Sequence, residues 1–110
     1  MTSAYIISAC RSPVTPRGGA LAHLSLPDLA APILTAALTR AGIAPRQVDE
    51  VICSTALGPG GNPARSIALA AGLPEHVAGL SIDRQCAGGL DALALARQMI
   101  LSGAADIVVA

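Results

Sequence analysis

The sequence predicts an α/β chain built on a parallel sheet, and three observations predict it. Short β-rich runs alternate with helical runs along the whole length, in the order βαβαβαβ, which is the pattern of parallel strands joined by crossover helices. The chain has 110 residues, enough for one modest domain with a core of its own. Hydrophobic residues make up 53% and charged ones only 13%, against about a quarter charged in an ordinary soluble domain. Such a balance implies an unusually large buried fraction, with much of the surface expected to face further protein.

Residues 4–9 (AYIISA) read as a buried strand. Residues 11–27 contain Pro13, Pro16, Gly18, Gly19 and Pro27 and read as a loop. Residues 28–41 read as a helix, with Asp28 favourable in the first turn and Gly42 a natural stop. Pro32 is awkward there and is expected either to kink the first turns or to delay the helix start. Residues 48–54 (VDEVICS) read as the second strand. Residues 63–72 suit a short helix with Asn62 as N-cap, Pro63 at its first position and Gly72 as its stop. Residues 79–84 suit a short third strand, 86–102 a long helix ending near Gly103, and 105–110 (ADIVVA) a fourth strand. The crossovers are expected to be right-handed.

The helix expected after Cys86 is apolar on nearly all sides. Leu90, Leu93, Leu95, Met99, Ile100, Leu101 and several alanines surround its axis, interrupted mainly by Asp91, Arg97, Gln98 and Ser102. A helix apolar all round is one buried all round. A second protein layer beyond it is therefore expected, which this chain does not supply.

The bulk properties exclude several classes of function. Net charge is zero and the single aromatic residue is Tyr5. Neither the electrostatic footprint nor the stacking platforms of a nucleic-acid binder are present. No apolar run reaches the ~18–20 residues of a membrane span, and Asp91, Arg97, Gln98 and Asp106 break the longest stretches. The N-terminus has no basic region before its apolar run, so no secretory signal is read and a cytoplasmic location is expected. Cys10, Cys53 and Cys86 are odd in number and widely spaced, without a CxxC pair. Free thiols are expected and no metal site is indicated.

The strongest motif is Ser81-Ile82-Asp83-Arg84-Gln85-Cys86-Ala87-Gly88-Gly89-Leu90, where a strand ends, the chain turns and a cysteine stands at a helix start. Free N–H groups in the first turn and the helix dipole both favour a thiolate there. The same N–H groups could serve as oxyanion donors to an acyl group on that sulfur. Gly88 and Gly89 each cost a helix about 1 kcal/mol relative to alanine, which points to close approach by a ligand or another backbone. By spacing alone Cys86 reads equally well as a small buried hydrophobe. Cys10 and Cys53 end the first two strands and read as structural thiols. Gly58-x-Gly60-x-x-Pro63 follows a strand and precedes a helix, but Pro63 stands where a dinucleotide loop needs glycine or alanine, so it reads as a connecting loop.

The flanking residues separate the two readings of Cys86. Arg84-Gln85-Cys86-Ala87-Gly88-Gly89-Leu90 resembles the nucleophile motif of the thiolase family (acetyl-CoA acetyltransferases and 3-ketoacyl-CoA thiolases), Asn-Arg/Lys-x-Cys-Ala/Gly-Ser-Gly-Leu. Ile7-Ser8-Ala9-Cys10-Arg11-Ser12-Pro13 is similar to that family's opening strand, and Asp49-Glu50-Val51-Ile52 to its second. Gly61-Asn62-Pro63-Ala64-Arg65 is similar to its Gln-Asn-Pro-Ala-Arg segment. Ser102 to Ala110 is similar to the strand that leads to Gly-Gly-x-Glu-Ser. Five ordered matches at family spacing cover almost the whole chain.

The resemblance implies a thiolase-type N-terminal half-domain, with a mostly parallel sheet, helices on both faces and an incomplete C-terminal end. The family's sheet has five strands, and this chain is expected to supply four. The resemblance also implies ping-pong acyl transfer with Cys86 as the thioester-forming nucleophile. Coenzyme A thioesters are then substrates, no cofactor is permanently bound, and the complete protein is a homodimer or tetramer. Asp83 stands where the family usually has Asn, and Gly88 where it usually has Ser. The family's catalytic His, in Gly-His-Pro, and its second Cys, in Cys-x-Gly-Gly-Gly, have no match here, so the 110 residues alone are expected to be inactive. His23 and His76 lie in loops without partners at a base's spacing and read as surface residues. The alternatives are a non-catalytic thiolase-like subunit or interaction module and a ketoacyl synthase relative. The Asn-Pro-Ala-Arg segment favours thiolase over the latter.

Overall fold

The structure, a computed structural model, describes residues 2–110. Its regular elements are helix α1 (Leu26–Ala41), strand β1 (Glu50–Ser54), helix α2 (Pro63–Ala70), strand β2 (Ala78–Ile82), helix α3 (Gly88–Leu101) and strand β3 (Val108–Val109). Single 3₁₀ turns occupy Pro45–Gln47 and Gln85–Ala87.

Helix α1 starts where Ser25 caps it. The Ser25 Oγ accepts from the Asp28 N–H at 3.2 Å and donates to Asp28 Oδ2 at 2.6 Å, so one orphan donor of the first turn is satisfied. The helix therefore begins two residues ahead of the sequence expectation and runs unbroken through Pro32, which is exposed. It ends on Gly42, whose left-handed φ of 69° lets its N–H reach the Leu38 and Thr39 carbonyls.

The three strands form one parallel sheet in the order β2-β1-β3. Side chains alternate across a strand, and the two faces collect different helices. Val51, with Cys53 and Val109, packs on Leu34 and Leu38 of α1 and on Ala64, Ile67 and Ala68 of α2. Ile52, with Ile82 and Val108, packs on Ala92, Ala96 and Met99 of α3. Helices thus cover both faces, as expected.

The expected first strand is not formed. Residues 2–16 have no regular structure, and Tyr5 and Ile6 are 79% and 77% exposed. A strand needs a partner backbone and a covering layer. Among the described residues no strand pairs with this segment, so the sheet has three strands rather than four. The segment is fastened instead near the end of α1, where an Arg40 guanidinium N–H points at the Cys10 Sγ at 3.1 Å.

Two polar ties fix the sheet's geometry. The Asp49 carboxylate, just before β1, accepts from the backbone N–H of Asp106 at 2.7 Å and of Ile107 at 3.0 Å, which sets the entry into β3. Asn62, the N-cap of α2, accepts from the Arg65 N–H at 3.2 Å and from the Ser81 hydroxyl at 2.5 Å, and its Nδ2 donates to the Gly79 carbonyl at 2.7 Å. Ser81 Oγ also accepts from the Ala64 N–H at 2.9 Å. The first turn of α2 is thereby pinned to β2. Gly79 makes the approach possible, since a Cβ there would lie 2.5 Å from the Arg65 nitrogen and 2.7 Å from its Cα.

Candidate active site

Strands β1 and β2 run parallel and end side by side, with Ser54 opposite Ile82 and the Thr55 N–H bonded to the Ile82 carbonyl at 3.1 Å. The carboxyl ends of parallel strands are where open α/β sheets place their ligands. Beyond Ile82 the chain makes one tight turn, Asp83 to Cys86, and enters α3.

The turn is built from local polar contacts. Asp83 Oδ1 accepts from the Gln85 N–H at 2.8 Å, an arrangement that Asp and Asn side chains serve alike. The departure from the family's usual Asn therefore leaves this turn intact. Arg84 reaches forward to pair with Asp91 in the first turn of α3, Nε to Oδ2 3.0 Å, on an open surface where such a pair is worth under about 1 kcal/mol. Gln85 has φ +50°, and no other described non-glycine residue has a positive φ. A left-handed backbone at a glutamine stores strain of about 1–2 kcal/mol.

Cys86 follows directly and is exposed, whereas Cys10 and Cys53 are half-buried. The buried-hydrophobe reading of Cys86 finds no support in this placement. Cys53 points into the core on the α1 and α2 face, and burial pushes its thiol up from the ordinary cysteine value. Cys10 lies in an open depression of about 710 Å³ with Arg11, Pro13 and Arg40. His23 and His76 are both exposed.

Two expectations about the helix start are corrected. Cys86 lies inside a 3₁₀ turn, and α3 proper begins at Gly88. The N–H groups of Ala87 and Gly88, expected to be free for the sulfur or an oxyanion, donate to the Arg84 and Gln85 carbonyls. The tighter turn that presents the cysteine uses those donors. The two glycines also divide. Gly89 has open space around it, whereas Gly88 is buried with its Cα turned onto the side chain of Ser54. At Gly88 the close approach is made by a strand side chain, that of Ser54. Sequence reading missed Ser54, because nothing local marks a serine at a strand end.

An open depression of about 470 Å³ lies beside the turn, walled by Ile82, Asp83 and Arg84 and by Asp91, Ala94, Leu95 and Gln98 of α3. Cys86 is not among its walls. Leu90, Leu93 and Leu95 are 73%, 44% and 39% exposed, so nothing among the described residues covers the outer side of α3. No helix is long and apolar enough to cross a membrane, and no cluster of metal-ligating side chains occurs, both among the described residues.

Comparison with known proteins adds the following. The family model described as "Thiolase, N-terminal domain" matches residues 4–110. An acetyl-CoA acetyltransferase of Cupriavidus necator is 47% identical over 112 residues, which is 100% of this chain and 28% of that protein. A steroid 3-ketoacyl-CoA thiolase of Mycobacterium tuberculosis is 47% identical over 113 residues, again 100% of this chain and 28% of the relative. Among solved structures, the Bacillus anthracis acetyl-CoA acetyltransferase superposes on 98% of this chain and 28% of its own with a TM-score of 0.91, at 40% identity. The chain thus spans little more than a quarter of the length of the curated relatives it matches.

Proposed function

The chain belongs to the thiolase family, to its N-terminal domain, and from that premise we propose that Cys86 is the acyl-carrying nucleophile of an acyl-CoA acyltransferase. Its sulfur attacks the carbonyl of an acyl-CoA thioester, the C–S bond to coenzyme A breaks, and the acyl group rests on Cys86 as a new thioester. In the condensing direction the carbanion of acetyl-CoA then takes it. In the thiolytic direction the sulfur instead attacks the 3-keto carbonyl of a 3-ketoacyl-CoA and the C2–C3 bond breaks. Acetyl-CoA leaves as its C2 carbanion takes up a proton, and a coenzyme A thiol then removes the acyl group from Cys86. The thiol proton leaves to a base, a part that the family resemblance gives to a histidine beyond the matched motifs. Substrates are coenzyme A thioesters, with no permanently bound cofactor, and the complete protein works as a cytoplasmic homodimer or tetramer.

The observation that carries the reading is the exposure of Cys86 on a strained turn, at the carboxyl ends of two parallel strands. It is the solvent-facing cysteine of the three. In the complete gene product, limiting iodoacetamide at neutral pH followed by peptide mass mapping is expected to label Cys86 well before Cys10 and Cys53. Acetyl-CoA is expected to leave one acetyl group on the Cys86 peptide and none in Cys86→Ala. Equal labelling of the three cysteines, with no acetylated peptide, would favour a non-catalytic thiolase-like subunit and refute the proposal.

A further inference from the structure

We infer that Ser54 is a positioning residue for Cys86. It seats the N-terminus of α3, and it is the reason that position 88 holds glycine. The inference rests on the acyl-transfer reading for its functional meaning but on packing for its substance.

The buried residues of α3 are Gly88, Ala92 and Ala96. Their spacing of four places them on one face, and that face lies on the side of the sheet to which Ile52 points. Ser54 is two residues beyond Ile52 on the same strand and so shares its face. Small side chains at 92 and 96 let α3 lie close on the strand. At the end of that stripe, Ser54 stands where a side chain at 88 would go. A Cβ added to Gly88 would overlap Ser54 Oγ and lie 2.7 Å from Ser54 Cβ. Rotating the hydroxyl away removes the first conflict but not the second, because the position of Cβ is set by the backbone. That backbone is held by the pairing of Ser54 with Ile82 and by the Thr55 N–H bond to the Ile82 carbonyl. A larger residue at 88 must therefore push the start of α3 outward. Cys86 is two residues upstream, inside the turn that joins β2 to that start, and moves with it. Geometry near a reacting atom is costly to disturb, since a displacement of about 1 Å can lower a rate by about a hundredfold.

Two volumes share one space, so the roles of positions 54 and 88 are exchangeable. A helix-propensity role for Gly88 gives the opposite sign, because alanine is the better helix former. The test is a double-variant cycle in the complete gene product, comprising Gly88→Ala, Ser54→Gly and the two combined. Three readouts are needed: the iodoacetamide labelling rate of Cys86 relative to Cys53, its pH profile, and acetyl loading from acetyl-CoA. Gly88→Ala is expected to change the Cys86 labelling rate by about tenfold or more, by the same positional argument. The combined variant is expected to return to within about threefold of wild type, with soluble yield recovering alongside. A Gly88→Ala protein that labels and loads as wild type overturns the inference. So does a combined variant as defective as Gly88→Ala alone, whether the defect is in labelling or in folding. If wild type takes no acetyl group while the labelling cycle behaves as expected, acyl transfer fails and the seating role of Ser54 stands.

Discussion

Replacing Asn62 tests how the candidate site is held from behind. Its side chain caps α2 through the Arg65 N–H, donates to the Gly79 carbonyl and accepts from Ser81. Loss of an N-cap costs about 1 kcal/mol, and each further hydrogen bond about 0.5–1.5 kcal/mol. Asn62 is exposed, so water recovers part of the loss, and Asn62→Ala is expected to cost about 2–3 kcal/mol locally. At 1.4 kcal/mol per factor of ten, that is about a 30- to 140-fold rise in amide exchange. The rise should be confined to the peptides covering residues 63–66 and 78–82, because local openings follow the contacts that close them. Asn62→Asp separates the contributions. The carboxylate keeps the capping role and suits a helix N-terminus, but it cannot donate to Gly79. Its exchange should rise only about fivefold, equivalent to about 1 kcal/mol. Hydrogen exchange read by mass spectrometry on the complete gene product decides the matter. Unchanged exchange in Asn62→Ala, or a rise spread equally over α1, refutes the idea that this tie holds α2 to β2.

Gly79→Ala must lift the first turn of α2 from the sheet, since the new Cβ would meet the Arg65 backbone. A cost of about 1–3 kcal/mol is expected, seen as a lower melting temperature by circular dichroism, and an unchanged melting point contradicts the packing described. Ile52, 1% exposed between sheet and α3, should cost about 2–5 kcal/mol on replacement by alanine and should free the labelling of Cys53 on the opposite face far less than it loosens α3. Asp49 is held below the ordinary carboxyl value of 3.8, first by the Ile107 N–H and then by the Asp106 N–H. Its stabilisation is therefore complete above that value and fades as acid takes the pH down through the lower folded value. Asp49→Asn should flatten the acid limb of a stability–pH curve below about pH 4 and leave it parallel to wild type at neutral pH. Identical acid limbs would show that the carboxylate does not tie β3 in solution.

What was legible in the sequence was what is decided locally. Asn62 and Pro63 announce the start of α2 because a cap and a first-position proline act within one turn. Residues 48–54 read as a strand, and β1 forms there at Glu50–Ser54 with Val51 and Ile52 each 1% exposed, because helices cover both of its faces. The motif around Cys86 read as a strand end, a turn and a helix start, but with Asp83 and Arg84 still in the strand, which ends at Ile82. The 3₁₀ form of the turn was not legible, since it depends on which carbonyls the Ala87 and Gly88 N–H groups reach. The first strand failed for the opposite reason. Tyr5, Ile6 and Ile7 have the composition of a strand, but composition cannot supply the neighbouring backbone that a strand requires. Ser54 was illegible because its meaning lies in a contact with Gly88, far along the chain.

The strain at Gln85 follows from these distant contacts rather than from its own side chain. Upstream, β2 is fixed at Ser81 by Asn62 and at Ile82 by its pairing with Ser54. Downstream, α3 is fixed at Gly88 by the side chain of the same Ser54. Only residues 83–87 remain to turn the chain from strand to helix between two anchored ends. Asp83 takes the first step by accepting from the Gln85 N–H, and the left-handed backbone at Gln85 takes the second. An unfavourable conformation of this kind persists only where its surroundings over-determine it. Here one serine serves both anchors, by its backbone pairing on one side and its Cβ on the other. The presentation of Cys86 to solvent is therefore a property of the sheet end, and a change at Ser54 should reach Cys86 without touching any residue of the turn itself.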